Sequence, residues 1–417
     1  MHPNRFTPQA IRALAPGVVL LLAGMLWAGT APAKEFVIGS QIDRSGPTQN
    51  IGPFWGDGFL DYIKLFNKKK SIPGHTIRVE EVDNGYNVPK GVEGFERQKA
   101  AGALTISIFG TPITQALAPK LLENKILGTS PGFGTSAAKD GTKYPFLFPM
   151  AATYWSQMGA AVKFVQDNWK EKRKPKIAYV YYDNPAGQEP MPVLQDLQKQ
   201  LGFELQTYAV PPPGLEMGPQ VQEIARQYKA DWVITHLFGR APGVSIKEFA
   251  RVGFPRNRII SFVWGSAESD LQVAGVEEAE GYYGLQFAGV GDNYPVIREI
   301  KQMYKDEGKD PPKAMEISVY YNRGVLIAAV HARAVQLAVQ KKGPNITSLD
   351  VRDAFESIKD FSLGGLLPPL NFSHNDHEGG GWVQVYQVRG GKWVAATDWF
   401  HGFPEVIARH VAAAPAP

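Results

Sequence analysis

The chain has no cysteine among its 417 residues, which removes disulfides, thiolate metal sites, cysteine nucleophiles and a lipid-anchored N-terminal cysteine. An oxidising compartment is open to it, because there is no thiol to protect. An excess of charge is missing too: Lys plus Arg total 44 against 40 for Asp plus Glu, a net of +4, far from the concentrated basic face that nucleic-acid binding needs. No late stretch is apolar for long enough to span a bilayer. The most apolar, Ile317 to Val339, is interrupted by Arg323, His331 and Arg333 and reads as a buried or amphipathic helix. What is there, 44% hydrophobic and 20% charged residues, excludes disorder, collagen and coiled coil, and at this length supports two folded domains.

At the start, Arg5 and Arg12 precede an uncharged apolar stretch, Gly17 to Gly29, followed by small residues ending Ala31-Pro32-Ala33. Basic, apolar, then small is the order of a secretory signal peptide, and the apolar part is too short for a stable anchor. Residues 1–33 are expected to be cleaved after Ala33, leaving a near-neutral chain in the periplasm.

Beyond it, β-rich runs alternate with helix-period segments, which argues parallel sheets covered by helices. Candidate strands are Phe36 to Gly39, Thr76 to Val82, Leu104 to Phe109, Ile126 to Thr129, Lys176 to Tyr182, Asp231 to Leu237 and Arg258 to Val263. Trp55, Phe59, Tyr62, Ile63 and Phe66 share one helix face, and Trp155, Met158, Val162, Val165 and Trp169 nearly share another, so these aromatics are core. The pattern runs twice, changing near Pro149 to Tyr154 and again near Gln286 to Gly291, with no long linker. Two lobes joined this way require a chain that crosses between them more than once. The end, Ala412 to Pro417, reads as a frayed tail.

In such sheets, ligands collect beyond the carboxyl ends of strands. The loops there, among them Ser45-Gly46-Pro47-Thr48, Gly110-Thr111-Pro112, Asp183-Asn184-Pro185-Ala186-Gly187 and Trp264-Gly265-Ser266, offer hydroxyls, amides and aromatics but few charges. They suit a small ligand with one anionic end and an apolar body. Gly128-Thr129-Ser130-Pro131-Gly132 has the spacing of a hydrolase nucleophile elbow, but Pro131 has no N–H to stabilise an oxyanion, so no catalysis is expected. Gly132-Phe133-Gly134-Thr135-Ser136-Ala137 fits a loose dinucleotide pattern without the acid that should follow it, and reads as a tight turn with free, anion-binding amides. His374-Asn375-Asp376-His377-Glu378, before three glycines, reads as a solvated turn, not a metal site. His236, at a strand end, reads as a hydrogen-bonding wall residue; Trp264, ending another strand, is equally suited to core packing and to pocket lining.

The start Phe36-Val37-Ile38-Gly39 with Ser45-Gly46-Pro47, the stretch from Thr114-Gln115 to Ser130-Pro131-Gly132, Ala279-Glu280-Gly281-Tyr282, and the ending Gly364-Gly365-Leu366-Leu367-Pro368-Pro369, Tyr386-Gln387-Val388 and Gly391-Lys392-Trp393 resemble periplasmic binding proteins of the leucine/isoleucine/valine transport family. The resemblance implies an α/β fold of two doubly wound parallel-sheet lobes joined by three hinge crossings, a flytrap clamp of type I topology. The first lobe would be residues 34–152 and 286–378, and the second 153–285 and 379–417. It also implies no catalytic activity, no cofactor and no metal, and a monomer that delivers a small carboxylate to a membrane permease with ATPase subunits. By similarity, Thr111 holds the ligand carboxylate, and the amides of Gly132, Phe133 and Gly134 complete that site. Thr135 stands in for a hydroxyl that falls on Gly134, and Tyr154 and Tyr321 lie near hinge or cleft positions. His236, Phe238 and Trp264 would cover the apolar body. The acid that pairs with a ligand ammonium falls on Trp264, with Glu268 the nearest replacement. The ligand is therefore expected to be a hydrophobic or branched-chain amino acid or an amine-free aromatic acid, carried for transport or for sensing.

Overall fold

The computed structural model describes residues 33–417, together with Met1 and Pro3. The export signal at residues 1–33 thus falls, but for Met1, Pro3 and Ala33, outside the described residues. Strands β1 (Glu35–Ile42), β2 (Thr76–Asp83), β3 (Ala103–Ser107), β4 (Leu127–Thr129) and β5 (Leu147–Phe148) form a parallel sheet in the order β2-β1-β3-β4-β5. A second sheet contains β6 (Lys176–Tyr182), β7 (Glu204–Val210), β8 (Trp232–His236), β9 (Ile259–Ser261), β10 (Tyr283–Gln286), β11 (Gln384–Arg389) and β12 (Lys392–Ala395), in the order β12-β11-β10-β9-β8-β6-β7.

The seven strands expected from the sequence are all present. One point of the parallel-sheet expectation needs correcting: β11 runs antiparallel to both β10 and β12. The cause is local. Between β11 and β12 stand only Gly390 and Gly391, both at positive φ (57° and 72°), a two-residue hairpin turn that cannot house the crossover a parallel pair requires.

Three passages of chain link the sheets. After β5 the chain enters the helix Tyr154–Asn168, which leads to β6. After β10 it returns along helices Pro295–Asp306 and Val319–Lys342, which pack against the helix Gly52–Lys68 between β1 and β2. From there it goes back to β11. The long helix seats deeply: a Cβ on Gly58 would lie 2.2 Å from the Tyr321 carbonyl oxygen, and one on Gly324 2.0 Å from that of Trp55. Glycine at these two positions is what lets the helices touch backbone to backbone. Trp55, Phe59, Ile63 and Phe66 are buried as their spacing demands, and so are Met158, Val162 and Val165. The stretch read as too interrupted to cross a membrane is this buried helix, and no described helix is long and apolar enough to do so.

Two expectations fail. The C-terminal segment is not frayed: it ends in a helix, Pro404–Ala413, and Lys143 Nζ donates to the carbonyls of Val411, Ala412 and Ala414 while Tyr144 Oη donates to Pro415. Nor is the whole of His374 to Glu378 a solvated turn: the exposed turn is confined to His374 and Asn375. His377 and Glu378 are fully buried; His377 stacks on Phe148 with centroids 3.6 Å apart, and Glu378 pairs with Lys139 at 2.6 Å. Its donors are consumed in holding a chain crossing together.

Candidate functional site

Both sheets point their carboxyl ends at one cleft, and the loops there line a small cavity. From the first sheet come Thr48 and Ile51 after β1, Tyr86 after β2, Phe109, Gly110 and Thr111 after β3, and Phe133 after β4. Phe238 and Trp264 follow β8 and β9, and Tyr154 opens the helix of the first crossing. Of the expected site residues, Thr111, Phe133, Tyr154, Phe238 and Trp264 line this cavity. Trp264 thus lines the pocket and packs as well: its ring lies near those of Phe133 (5.6 Å), Trp55 (5.8 Å) and Tyr320 (6.1 Å).

Short-range hydrogen bonds fix the loops. Asp43 accepts from the backbone N–H of Gly46 and Thr48 and from the Thr48 hydroxyl, which folds the loop after β1 back on itself. Asn84 donates to the Phe109 carbonyl and accepts from the Tyr86 N–H, so one side chain ties the loops after β2 and β3. Thr111 is the first residue of the helix Thr111–Asn124, entered through Gly110 at φ 108°. A side chain there faces the positive end of the helix dipole.

None of the ten lining residues is charged. Six are aromatic, and the hydroxyls of the two tyrosines stay neutral: burial lifts Tyr154 well above the usual phenol range and lifts Tyr86 as well. Thr111 is 1% exposed, and its hydroxyl makes no hydrogen bond of ordinary geometry, although it sits close enough to Tyr154 to draw that phenol's pKa down slightly against the effect of burial. A buried hydroxyl left unpaired costs roughly 1–3 kcal/mol, which a ligand acceptor would recover.

Across the cleft the two sides already touch. Asn50 donates to the Gly239 carbonyl at 3.0 Å, Trp264 Nε1 donates to the Gly132 carbonyl at 3.0 Å, and Glu189 Oε1 accepts from the Ser136 N–H at 2.5 Å. Beneath Trp264, Arg323 lies with its guanidinium carbon 5.1 Å from the ring centroid, donating to the Val263 carbonyl and Gln286 Oε1. Burial lowers its pKa to about 10, so it stays cationic.

Six expected residues stand elsewhere. The glycine turn does not offer free amides along its length: the Gly132 N–H donates to Met150 and that of Phe133 to Ser130, while a Cβ on Gly134 would fall 2.1 Å from Glu189 Oε2. The Thr135 hydroxyl is buried and unpartnered but does not line the cavity. His236 lies behind Tyr154 (centroids 4.2 Å), with Nδ1 3.2 Å from the Tyr179 hydroxyl; burial drops its pKa to about 3, so it is neutral. Glu268 accepts from the Val319 N–H at 2.8 Å, capping the long helix. Tyr321 donates to Asp61 Oδ2 at 2.6 Å, inside the packing of that helix on Gly52–Lys68. Conversely, Ile51, Tyr86 and Phe109 line the cavity, and Glu189 stands beside Thr111, without having been singled out. The Asn84-Gly85-Tyr86-Asn87 turn after a strand was a readable signal for Tyr86; the loop flagged at Asp183 to Gly187 stopped two residues short of Glu189.

The model of the periplasmic binding protein family matches residues 35–392. The chain belongs to that family. Among solved structures, this binding protein is similar to one described as an ABC transporter permease from the Pseudomonas fluorescens group, at 30% identity and a TM-score of 0.82, covering 91% of this chain and 96% of that one. It also resembles a branched-chain amino acid ABC transporter from Thermus thermophilus with bound valine (20% identity, TM-score 0.80, 91% and 99% covered). A third is a fatty acid ABC transporter substrate-binding protein from Thermomonospora curvata (20%, TM-score 0.74, 93% and 97%). No curated protein matches the sequence. Members of this family are periplasmic solute-binding proteins of ABC transporters, not enzymes, and work with a small-molecule ligand and a membrane permease.

Proposed function

We propose that this binding protein carries a small carboxylate with an apolar or aromatic body, a hydrophobic amino acid or an amine-free acid, to a permease driven by ATPase subunits. The observation that carries the reading is the unpartnered Thr111 hydroxyl at a helix N-terminus, opening onto a cavity walled by six aromatic rings. The carboxylate would accept from Thr111 in a charge-assisted hydrogen bond, and Phe109, Phe133, Phe238 and Trp264 would take the body out of water. Ligand stabilises the closed clamp by contacts that exist only when Phe238 and Trp264 meet the first lobe, which is how occupancy becomes a shape a permease reads. The lobes in this reading are residues 34–152 with 286–378, and 153–285 with 379–417; the protein is exported with cleavage after Ala33 and acts as a monomer.

The test is calorimetry with L-leucine, L-phenylalanine, benzoate and 3-phenylpropanoate against a polyol control. Micromolar binding of at least one carboxylate, with none of the polyol, supports the reading. Preference for the polyol would end it.

A further inference from the structure

Resting on that reading of the cavity, the free oxygen of Glu189 is a buried acceptor without a partner beside Thr111. The residue follows the short helix Pro185–Gln188 on the second-sheet side. Its carbonyl accepts from Trp155 Nε1 at 3.0 Å and its Oε1 from the Ser136 N–H at 2.5 Å, so both backbone and side chain are anchored. Oε2 is buried with no hydrogen-bond partner. A Cβ built on Gly134 would lie 2.1 Å from this oxygen and 2.6 Å from Thr111 Cγ2, which places the carboxylate beside the residue that offers the ligand its hydroxyl. The Thr111 and Thr135 hydroxyls in the same neighbourhood are likewise buried and unpartnered. Burial lifts the Glu189 carboxyl above its usual range, opposed by the bonds from Ser136, and its charge bears on Tyr154, another wall of the cavity.

While ionised, a carboxylate with one idle oxygen accepts hydrogen bonds and cannot donate them. Next to it, a bare ligand carboxylate meets like charge, whereas a ligand N–H satisfies a buried acceptor that otherwise costs the folded state. We propose that Glu189 is a specificity-determining residue, selecting solutes whose polar end carries an N–H donor beside the acceptor that Thr111 binds. Ammonium and primary amide share that chemistry. Position 264, where the family resemblance would put such an acid, is tryptophan; the acceptor comes instead from the loop after β6, across the cleft.

The experiment measures affinities of 3-phenylpropanoate, L-phenylalanine and 3-phenylpropanamide for the wild-type protein, Glu189→Gln and Glu189→Asp, each checked by its unliganded melting temperature. The expected result is at least tenfold tighter binding of L-phenylalanine, the amide or both over 3-phenylpropanoate. Which of the two binds separates an ammonium from an amide donor. In Glu189→Gln, whose side chain can donate to an acid, the preference should vanish or invert; in Glu189→Asp it should keep its direction. Equal or tighter wild-type binding of 3-phenylpropanoate overturns the proposal. So does a uniform loss across all three probes in Glu189→Gln, because that is what a merely structural bridge to Ser136 would give. Failure of all three to bind at millimolar concentration overturns the reading of the cavity, and this inference with it.

Discussion

The indole N–H of Trp264 donates to the carbonyl of Gly132 at 3.0 Å, joining the loop after β9 to the loop after β4 across the cleft. The same ring forms a wall of the cavity and rests on Arg323, so one side chain couples ligand contact to closure. Trp264→Phe keeps an apolar wall and removes the N–H. It should weaken every ligand by about 1 kcal/mol, the net worth of one hydrogen bond, or roughly fivefold. Trp264→Ala, which opens the wall itself, should lower affinity by about two orders of magnitude or more, as expected for losing a buried aromatic anchor. Calorimetry on both variants checks the order; equal effects would mean that the ring serves packing alone.

Thr111 separates binding from stability. Thr111→Val has nearly the same shape, so it removes a hydroxyl that nothing in the protein satisfies. Affinity for a carboxylate ligand should fall by about 1–3 kcal/mol, the cost of a lost hydrogen bond to a charged group. The unliganded melting temperature should hold or rise, because an unpaired buried polar group has gone. A drop in melting temperature with unchanged affinity would assign Thr111 to the fold.

The strands legible in the sequence were those with sustained β-branched and aromatic runs, such as Lys176–Tyr182, an interior strand of the second sheet. Glu204–Val210 escaped because it is an edge strand with much of its surface in water, and Leu147–Phe148 because two residues carry no periodicity. At the site, residues directly after a strand, Thr111 and Trp264, could be placed because sheet geometry alone positions them. Glu268 and Tyr321 could not: whether a polar group faces the cleft or spends itself on a helix N–H or a buried Asp61 is decided by tertiary neighbours. Glu189 was hidden for the same reason, since its environment is made by Ser136 and Gly134 from the other side of the cleft.

His331 makes a titration prediction with a definite sign. It is fully buried in the long helix, bonded to the hydroxyls of Thr105 and Thr129 at 2.9 Å each, and burial lowers its pKa from 6.5 to about 3. Below pH 6.5 the unfolded chain binds a proton that the folded one refuses. Its contribution to stability is therefore present above that value and lost as pH falls toward 3, at about 1.4 kcal/mol per unit. His236 acts in the same sense, whereas Asp270, raised by burial to about 8, acts in the opposite one. The informative quantity is a difference: between pH 7.5 and 5.5, His331→Gln should lose about 1.4 kcal/mol less than the wild type in urea unfolding. Parallel curves would contradict a neutral His331.

Glu378 ties two of the three crossings. It is fully buried, accepts from the Thr153 N–H at 2.7 Å at the start of the first crossing, and pairs with Lys139 at 2.6 Å. Burial alone would raise its pKa, but the Lys139 charge and the hydrogen bonds from Lys139, Ser156 and Thr153 hold it below the usual carboxylate range. Its stabilising effect is therefore present above the ordinary carboxylate pKa and lost as pH falls through the depressed one. Glu378→Gln keeps an acceptor for Thr153 but leaves the Lys139 ammonium, whose side chain is 24% exposed, only its longer pairing with Asp376 at 3.5 Å. The cost should be roughly 3 kcal/mol, at the low end for a broken buried pair because Lys139 reaches some solvent. Lys139→Met in the Glu378→Gln background should recover a good part of it, since the buried ammonium is then gone and the Asp376 carboxylate it leaves behind reaches solvent. Unfolding free energies around that cycle decide the matter: a double variant as unstable as the two single losses combined would show that the ion pair does not couple these crossings.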